Sequence, residues 1–439
     1  MVTQDRNGGS IAHRTRRIGH LDLPGAGQVY IDGNYAYVGH LPNKASLGTS
    51  IVDISDPANP KVVSTITLED RTSHSHKARV IGDVMIVNHE RNNQGIGRKA
   101  EQLGPMRARL IEMLGREPTH AELADKLGLK EADIPRIEAA DVEHYDNGGF
   151  KVYDVSDKSA PREIAYQKTG GIGVHRFDMD ENYAYISTEM EGYVGNILVN
   201  YDISNPAQPV EVSRWHMPGQ HLAGGEMPHW AGNECRLHHA MRHGDRLFAG
   251  CWHAGLRIID IADIKAPKTI GEYNYHPPFP EPSHTFMGLP FRIGGRDLAI
   301  AIDEEDQYYS EAEAEARRGR PHANLWVFDI TDPANMQPLS IYQVSEADSP
   351  WSQQPNTRFG AHQFQENLKD SLIYCAWFSG GLRIVDIADP RAPREVGYFL
   401  PEPVNGHPAP QTNDVEIDER GLIYLVDRFT GFDIVEFTG

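Results

Sequence analysis

Cysteine is scarce in this chain. Three occur in 439 residues, Cys235, Cys251 and Cys375. An odd, sparse set builds no disulfide framework and points to a reducing compartment. No run approaches about 18 apolar residues, so no segment reads as a membrane-spanning helix. The opening stretch, MVTQDRNGGSIAHRTRR, has no apolar region of the kind a secretory signal needs. These absences predict a cytoplasmic protein with no membrane partner. Positive charge is also in deficit: 42 Lys and Arg stand against 62 Asp and Glu, for a net charge of −20. So acidic a surface repels phosphate backbones, and nucleic acid is not an expected partner. There is no P-loop, no dinucleotide glycine fingerprint, no GxSxG elbow and no paired CxxC.

What is present is periodic. An apolar run, then Asp, then a turn ending in Pro recurs along the chain. The copies are IVDISDPANP at Asp53, VYDVSDKSAP at Asp154, NYDISNPAQP at Asp202, IIDIADIKAP at Asp260, VFDITDPANMQP at Asp329 and IVDIADPRAP at Asp386. A degenerate copy, FDIVEF, ends the chain with Glu436 in the Asp place. Each copy reads as a strand stopped by a turn whose backbone the Asp side chain can bond. Four short strands surround each copy, and radial repetition of four-stranded units predicts a propeller. The final unit lacks its fourth strand, while RRIGHLDLPG near Ile18 is a strand without a unit. The expected fold is therefore all-β: a seven-bladed β-propeller over residues 15–439, closed by its N-terminal strand, which leaves no free edges.

The IVDIxDPxxP phrase resembles the LVIVD-repeat β-propeller family. The resemblance implies the fold and supplies no catalytic residues. It does not extend to a helical insertion at residues 92–147, between the second and third strands of blade 2. There Leu110, Met113 and Leu114 share a helical face, and Thr119 with Glu122 forms a capping box. The run GREPTHAELADKLGL resembles a helix-turn-helix segment of bacterial sigma factors, but the net charge opposes DNA binding. A lid or an oligomer contact, as in a homo-oligomer, is the expected role. A smaller helical insertion near 310–320 takes the equivalent place in blade 5.

Twenty-one histidines exceed what packing asks for. Aligned on the second strand of each blade, five fall at one position, where the innermost strand begins: His76, His175, His238, His284 and His362. Blade 7 is expected to put Asp414 there, and blade 1 offers Gly27 or Gln28. A one-residue shift would exchange His238 for His239. Innermost strands converge on the axis, so these side chains should form a ring. Beside it should lie the ends of the second strands: His40, Glu90, Glu189, His253, Glu304 and Arg428. Trp230, Trp252, Trp377, Phe378, Tyr308 and Tyr309 are candidate walls.

Converging imidazoles favour a transition metal, here Fe, Cu, Zn or Mn, with glutamates holding the distal N–H groups. The expected metal ligands are His76, His175, His238, His284 and His362. Glu90, Glu189, Asp414 and Arg428 are the expected catalytic set. The arrangement resembles, in geometry alone, carotenoid-cleaving dioxygenases and oligogalacturonate lyase-like propellers. The expected function is a metal-dependent enzyme acting on a small organic substrate, an Fe or Cu oxidoreductase of the oxygenase type. The alternatives are a Zn- or Mn-dependent lyase or hydrolase, and a non-enzymatic interaction scaffold.

Overall fold

In a computed structural model the chain is an all-β propeller with a few short helices. The structure describes residues 9–439 except 93, 141–144, 231–233, 307–309 and 405. Strand pairing gives five antiparallel sheets in the described chain, of five, nine, eight, four and four strands, and these divide into successive sets of four consecutive strands. The Asp phrase works alike in its six good copies. A carboxylate oxygen of Asp53, Asp154, Asp202, Asp260, Asp329 or Asp386 accepts the backbone N–H two residues on, at 2.8–3.0 Å. That bond closes the turn and stops the strand.

Neighbouring sets pack face to face over apolar cores. Ile86, Phe150 and Val152 of the second set meet Phe177, Ile186 and Val199 of the third. The last core joins the ends of the chain: Tyr424, Val426 and Phe432 pack on Ala26, Val38 and Val52. The strand Thr15–Leu21 pairs with Gly431–Phe437 and completes the final set. Glu436 lies opposite Leu422, as Asp386 lies opposite Leu372, so it holds the Asp register. A further strand, Ile11–His13, pairs with Arg394–Leu400, so pairing starts before residue 15.

The insertion forms α1 (Gln94–Leu114), α2 (His120–Leu127) and α3 (Ile134–Glu138). Thr119 and Glu122 make the expected capping box. Leu103, Met106, Leu110 and Leu123 form the core of this unit and seat it on Val194 and Leu222 of the propeller. Leu110 belongs to that core, but Met113 and Leu114 are exposed at 53% and 40%. The helix buries a face turned toward Met106 and Leu103 rather than the one predicted. The second insertion carries α4 (Glu311–Arg317). Among the described residues no helix is long and apolar enough to cross a membrane.

Candidate metal centre

The five ring histidines come together in one arc. Their ring centroids follow one another at 5.2 Å (His76 to His175), 4.7 Å (to His238), 4.0 Å (to His284) and 4.4 Å (to His362). The reason is local. His175, His238 and His284 each fall where the ladder of an innermost strand loses register. A bulge leaves a residue unpaired and re-aims its side chain, here toward the axis. A Cβ on Gly27 would stand 2.9 Å from the His76 Cβ, so a bare backbone there gives His76 its room.

The same register corrects the last set. The unpaired residue there is Asn413, while Asp414 pairs with Val426 one step deeper. Asn413 lines the cavity, and Asp414 instead accepts the Val29 N–H at 3.0 Å. Likewise His239 pairs with Gly250, and His238 is the inward residue. Glu90 sits where expected but serves mainly the next set. Its carboxylate meets His175 Nδ1 at 2.9 Å and lies 3.4 Å from His74 Nε2. Glu189 turns away from the ring. It accepts from Gln102 Nε2 at 2.8 Å and from the Ile172 N–H, and lies 3.1 Å from Arg98 Nε. Arg428 lines the cavity and donates to Asn413 Oδ1 at 2.7 Å, not to Asp414. His40 bonds Pro24 O and Ser50 Oγ, and His253 bonds backbone carbonyls outside the cavity lining.

Of the expected walls, Trp252 lines the cavity, and Phe378 packs on His362 at 4.7 Å. Trp377 is wholly buried against Tyr342, and Trp230 packs under the insertion. Tyr308 and Tyr309 lie outside the described residues. Sequence reasoning missed His74, and it missed three cationic residues of the cavity: Arg176, Arg236 and Arg358. Arg176 and Arg236 had a signal, since they flank ring histidines on the innermost strands. The cavity measures about 510 Å³.

Hydrogen-bond accounting assigns the imidazole tautomers. His175 Nδ1 faces the Glu90 carboxylate; His238 Nδ1 faces the His284 carbonyl at 3.1 Å; His362 Nδ1 faces the Asn413 carbonyl. His284 Nδ1 faces Thr285 Oγ1 at 2.9 Å, and that hydroxyl spends its proton on Gln363 Oε1. All four partners accept, so all four Nδ1 atoms carry hydrogen and each Nε2 keeps its lone pair. His76 differs. Asn88 Oδ1 takes the Lys77 N–H and its Nδ2 donates to Val174 O, so Nδ2 also donates to His76 Nδ1. His76 therefore presents an Nε2–H.

Two of the lone pairs collide: His175 Nε2 and His238 Nε2 stand 2.9 Å apart. Two acceptors at that distance repel unless a cation or proton lies between them. A proton is disfavoured. Burial holds His76, His238, His284 and His362 well below the usual histidine range. Burial also takes His175 down to about 4, against the upward pull of Glu90. For Glu90, burial pushes upward, but His175 and His74 hold the carboxyl at about 2. Ligand atoms of His238, His284 and Glu304 lie within 4.8 Å of one another, as do those of His74, His76 and Glu90. The accounting favours the first neighbourhood, because His76 in the second has its Nδ1 occupied.

The LVIVD repeat model matches residues 25–67, 178–216 and 369–400. No curated protein matches the chain. Among solved structures, a protein from Lactobacillus plantarum is 11% identical, with a TM-score of 0.55 over 88% of this chain and 87% of its own. The periplasmic gluconolactonase of Pseudomonas aeruginosa is 11% identical, with a TM-score of 0.54 over 90% of this chain and 88% of its own. The β-propeller domain of Cps50 (Swd1) from Myceliophteria thermophila is 12% identical, with a TM-score of 0.52 over 97% of this chain and 100% of its own. At these identities the likeness is one of fold.

Proposed function

Taking the chain as a β-propeller that carries LVIVD repeats, we propose that its axial cavity holds one transition-metal ion on His175, His238, His284 and His362. On this reading the protein is a metal-dependent enzyme for a small organic substrate. The observation that carries it is the tautomer pattern: four imidazoles anchored through Nδ1, with unprotonated Nε2 atoms turned to the cavity, of which that of His284 accepts from Arg176 Nη2 at 3.1 Å and would exchange this bond for a cation. Fixing each ligand through its far nitrogen is how proteins orient metal-binding histidines.

When bound, the ion would supply Lewis acidity and, as iron or copper, redox chemistry. Four neutral nitrogen donors are the support for reading an oxidoreductase of the oxygenase type before a zinc or manganese lyase or hydrolase. The protein's own residues have separable tasks. Glu90 holds His175, and the Asn413 carbonyl holds His362. The His76 Nε2–H is a donor for substrate oxygen. Glu304 lines the cavity, 3.6 Å from His284 Nε2 and 3.7 Å from His362 Nε2, and is the carboxylate placed to take a substrate proton.

Elemental analysis together with the visible spectrum of gently purified protein tests this. About one metal per chain is expected, and it should be lost in His238→Ala and His284→Ala variants that keep the wild-type circular dichroism. A protein that carries no metal and takes up none on addition of iron, copper, zinc or manganese would overturn the proposal. The spectrum separates coloured iron or copper from colourless zinc.

A further inference from the structure

In a chain of net charge −20, the cavity concentrates cations. Arg176, Arg236, Arg358 and Arg428 line it against two carboxylates, Glu304 and Asp306. Arg176, Arg236 and Arg358 are only 3%, 5% and 3% exposed. Burying a guanidinium is costly unless its N–H groups find acceptors. Arg358 has one in Glu304, at 2.8 Å. Arg176 does not: its Nη2 reaches His284 Nε2 at 3.1 Å, while Nε and Nη1 have no hydrogen-bond partner among the described residues. Arg236 gives its Nε to Glu234, and its Nη1 is likewise unpartnered.

The cations are arranged in two flanks. On one side Arg236 lies over Trp252, 4.1 Å from the ring centroid, and Trp252 stacks on His238 at 5.5 Å. On the other, Arg358 and Arg428 lie over Phe378 at 3.8 and 5.5 Å, and Phe378 packs on His362 at 4.7 Å. Each flank is thus an arginine, an aromatic ring and a ring histidine in sequence. A ring face fixes the plane of a guanidinium and leaves its N–H edge for planar oxyanions. Trp252 keeps its place with φ at +53°, a left-handed backbone that costs a non-glycine residue about 1–3 kcal/mol. Arg176 lies between the flanks, beside His284.

We propose that the substrate is a small anion with two separate oxyanion groups. One group is held by Arg236 and the other by Arg358 and Arg428, so that the atoms between them lie over the histidines, within reach of Arg176. This deepens the metal-enzyme reading and rests on it for the chemistry, but the clamp itself is made of protein. It can therefore be tested without metal. A dicarboxylate and a phosphorylated carboxylic acid share the required chemistry, and separate probes distinguish them.

The test is calorimetric titration of the full-length protein after metal removal by dialysis against a chelator. The probes are succinate, phosphoglycolate, acetate, inorganic phosphate and neutral succinamide. Succinate or phosphoglycolate should bind at least tenfold tighter than acetate or phosphate, and succinamide should not bind. Whichever of the two leads identifies the second oxyanion. Arg236→Gln should weaken the leading probe at least tenfold with its melting curve intact. Arg176→Gln should do the same; should it fail to fold, Arg236→Gln decides. Equal binding of acetate, phosphate or succinamide, or no effect of Arg236→Gln, would overturn the clamp. The outcomes are separable: metal uptake without preference for the two-group probes defeats this inference alone, and that preference without metal uptake defeats the metal reading alone.

Discussion

The axial channel has two layers built by the same innermost strands, and they are finished differently. In the deeper layer, cations and carboxylates pair mainly with one another, although Asp414 Oδ1 and His239 Nε2 are buried without a hydrogen-bond partner among the described residues. Lys77 Nζ meets Glu366 Oε1 at 2.6 Å, and Arg79 pairs with Glu366 and with Asp178 at 2.9 Å. Asp178 also accepts the Arg242 N–H, and Asp414 accepts that of Val29. In the upper layer the histidines are tied from behind, only His284 Nε2 accepts an arginine N–H in front, and Arg176 and Arg236 keep N–H groups without a hydrogen-bond partner among the described residues. Buried polar groups are normally satisfied within the protein. A layer that closes on itself holds blades together. A layer that leaves acceptors and donors aimed at one cavity is what the proposed metal and substrate sites would draw on.

Breaking the deeper layer should cost the most. Glu366→Gln leaves Lys77 and Arg79 without their shared anion. Removing one partner of a buried ion pair typically costs about 3–5 kcal/mol. Urea unfolding should show that loss, while on the proposed metal reading the folded fraction should still take up metal. An unchanged midpoint would mean that this layer is not structural. Breaking the upper layer from behind should act on the metal instead. Glu90→Gln should weaken metal affinity about 10–100-fold, as loss of a ligand's orienting partner does. Competition with a chelator measures this, and an affinity equal to that of the wild type would show that Glu90 does not orient His175.

The smallest effect concerns pH. Burial, with Glu366 adding to it, pushes the Asp414 carboxyl up to about 7. The native state then holds a proton that the unfolded chain releases near pH 4. That group favours folding at low pH and loses its contribution as pH rises from about 4 to 7. Glu366 has the opposite sign. Burial opposes its ionisation, but Lys77 and Arg79 hold its carboxyl well below the usual range. Its contribution is present above the ordinary glutamate value and is lost as pH falls through the depressed one. Asp414→Asn should therefore flatten the decline between pH 4 and 7, leaving the acid limb to Glu366. Unfolding midpoints taken across that range would show it, and an unaltered profile would place Asp414 outside the coupling.

Much of this was legible in the chain. The Asp phrases predicted their own turns, because an Asx bond spans two residues and needs nothing distant. The donated N-terminal strand was visible as an orphan at one end and a gap at the other. The convergence of His76, His175, His238, His284 and His362 followed from repeat position. The errors were of one residue or one direction. Asp414 stood in for Asn413 because a bulge, which shifts register without changing composition, cannot be counted from spacing. Glu189 was grouped with Glu90 by position, but α1 delivers Arg98 and Gln102 to it and turns it outward. The helical face of the insertion was misread at Met113 and Leu114, because what a helix buries depends on where it docks.

The sequence alone determined the features that are local or periodic: the strand and turn repeat, the closure of the ring and the presence of histidines at its axis. Tertiary structure decided which nitrogen each imidazole turns inward. That choice is made by a carboxylate and two carbonyls brought from neighbouring sets, and by the Thr285 hydroxyl beside His284 on its own strand. It also decided that four arginines from different sets share one cavity. Hydrogen bonding and charge act through space, and the residues that supply them here lie far apart in the chain, from Arg176 to Arg428.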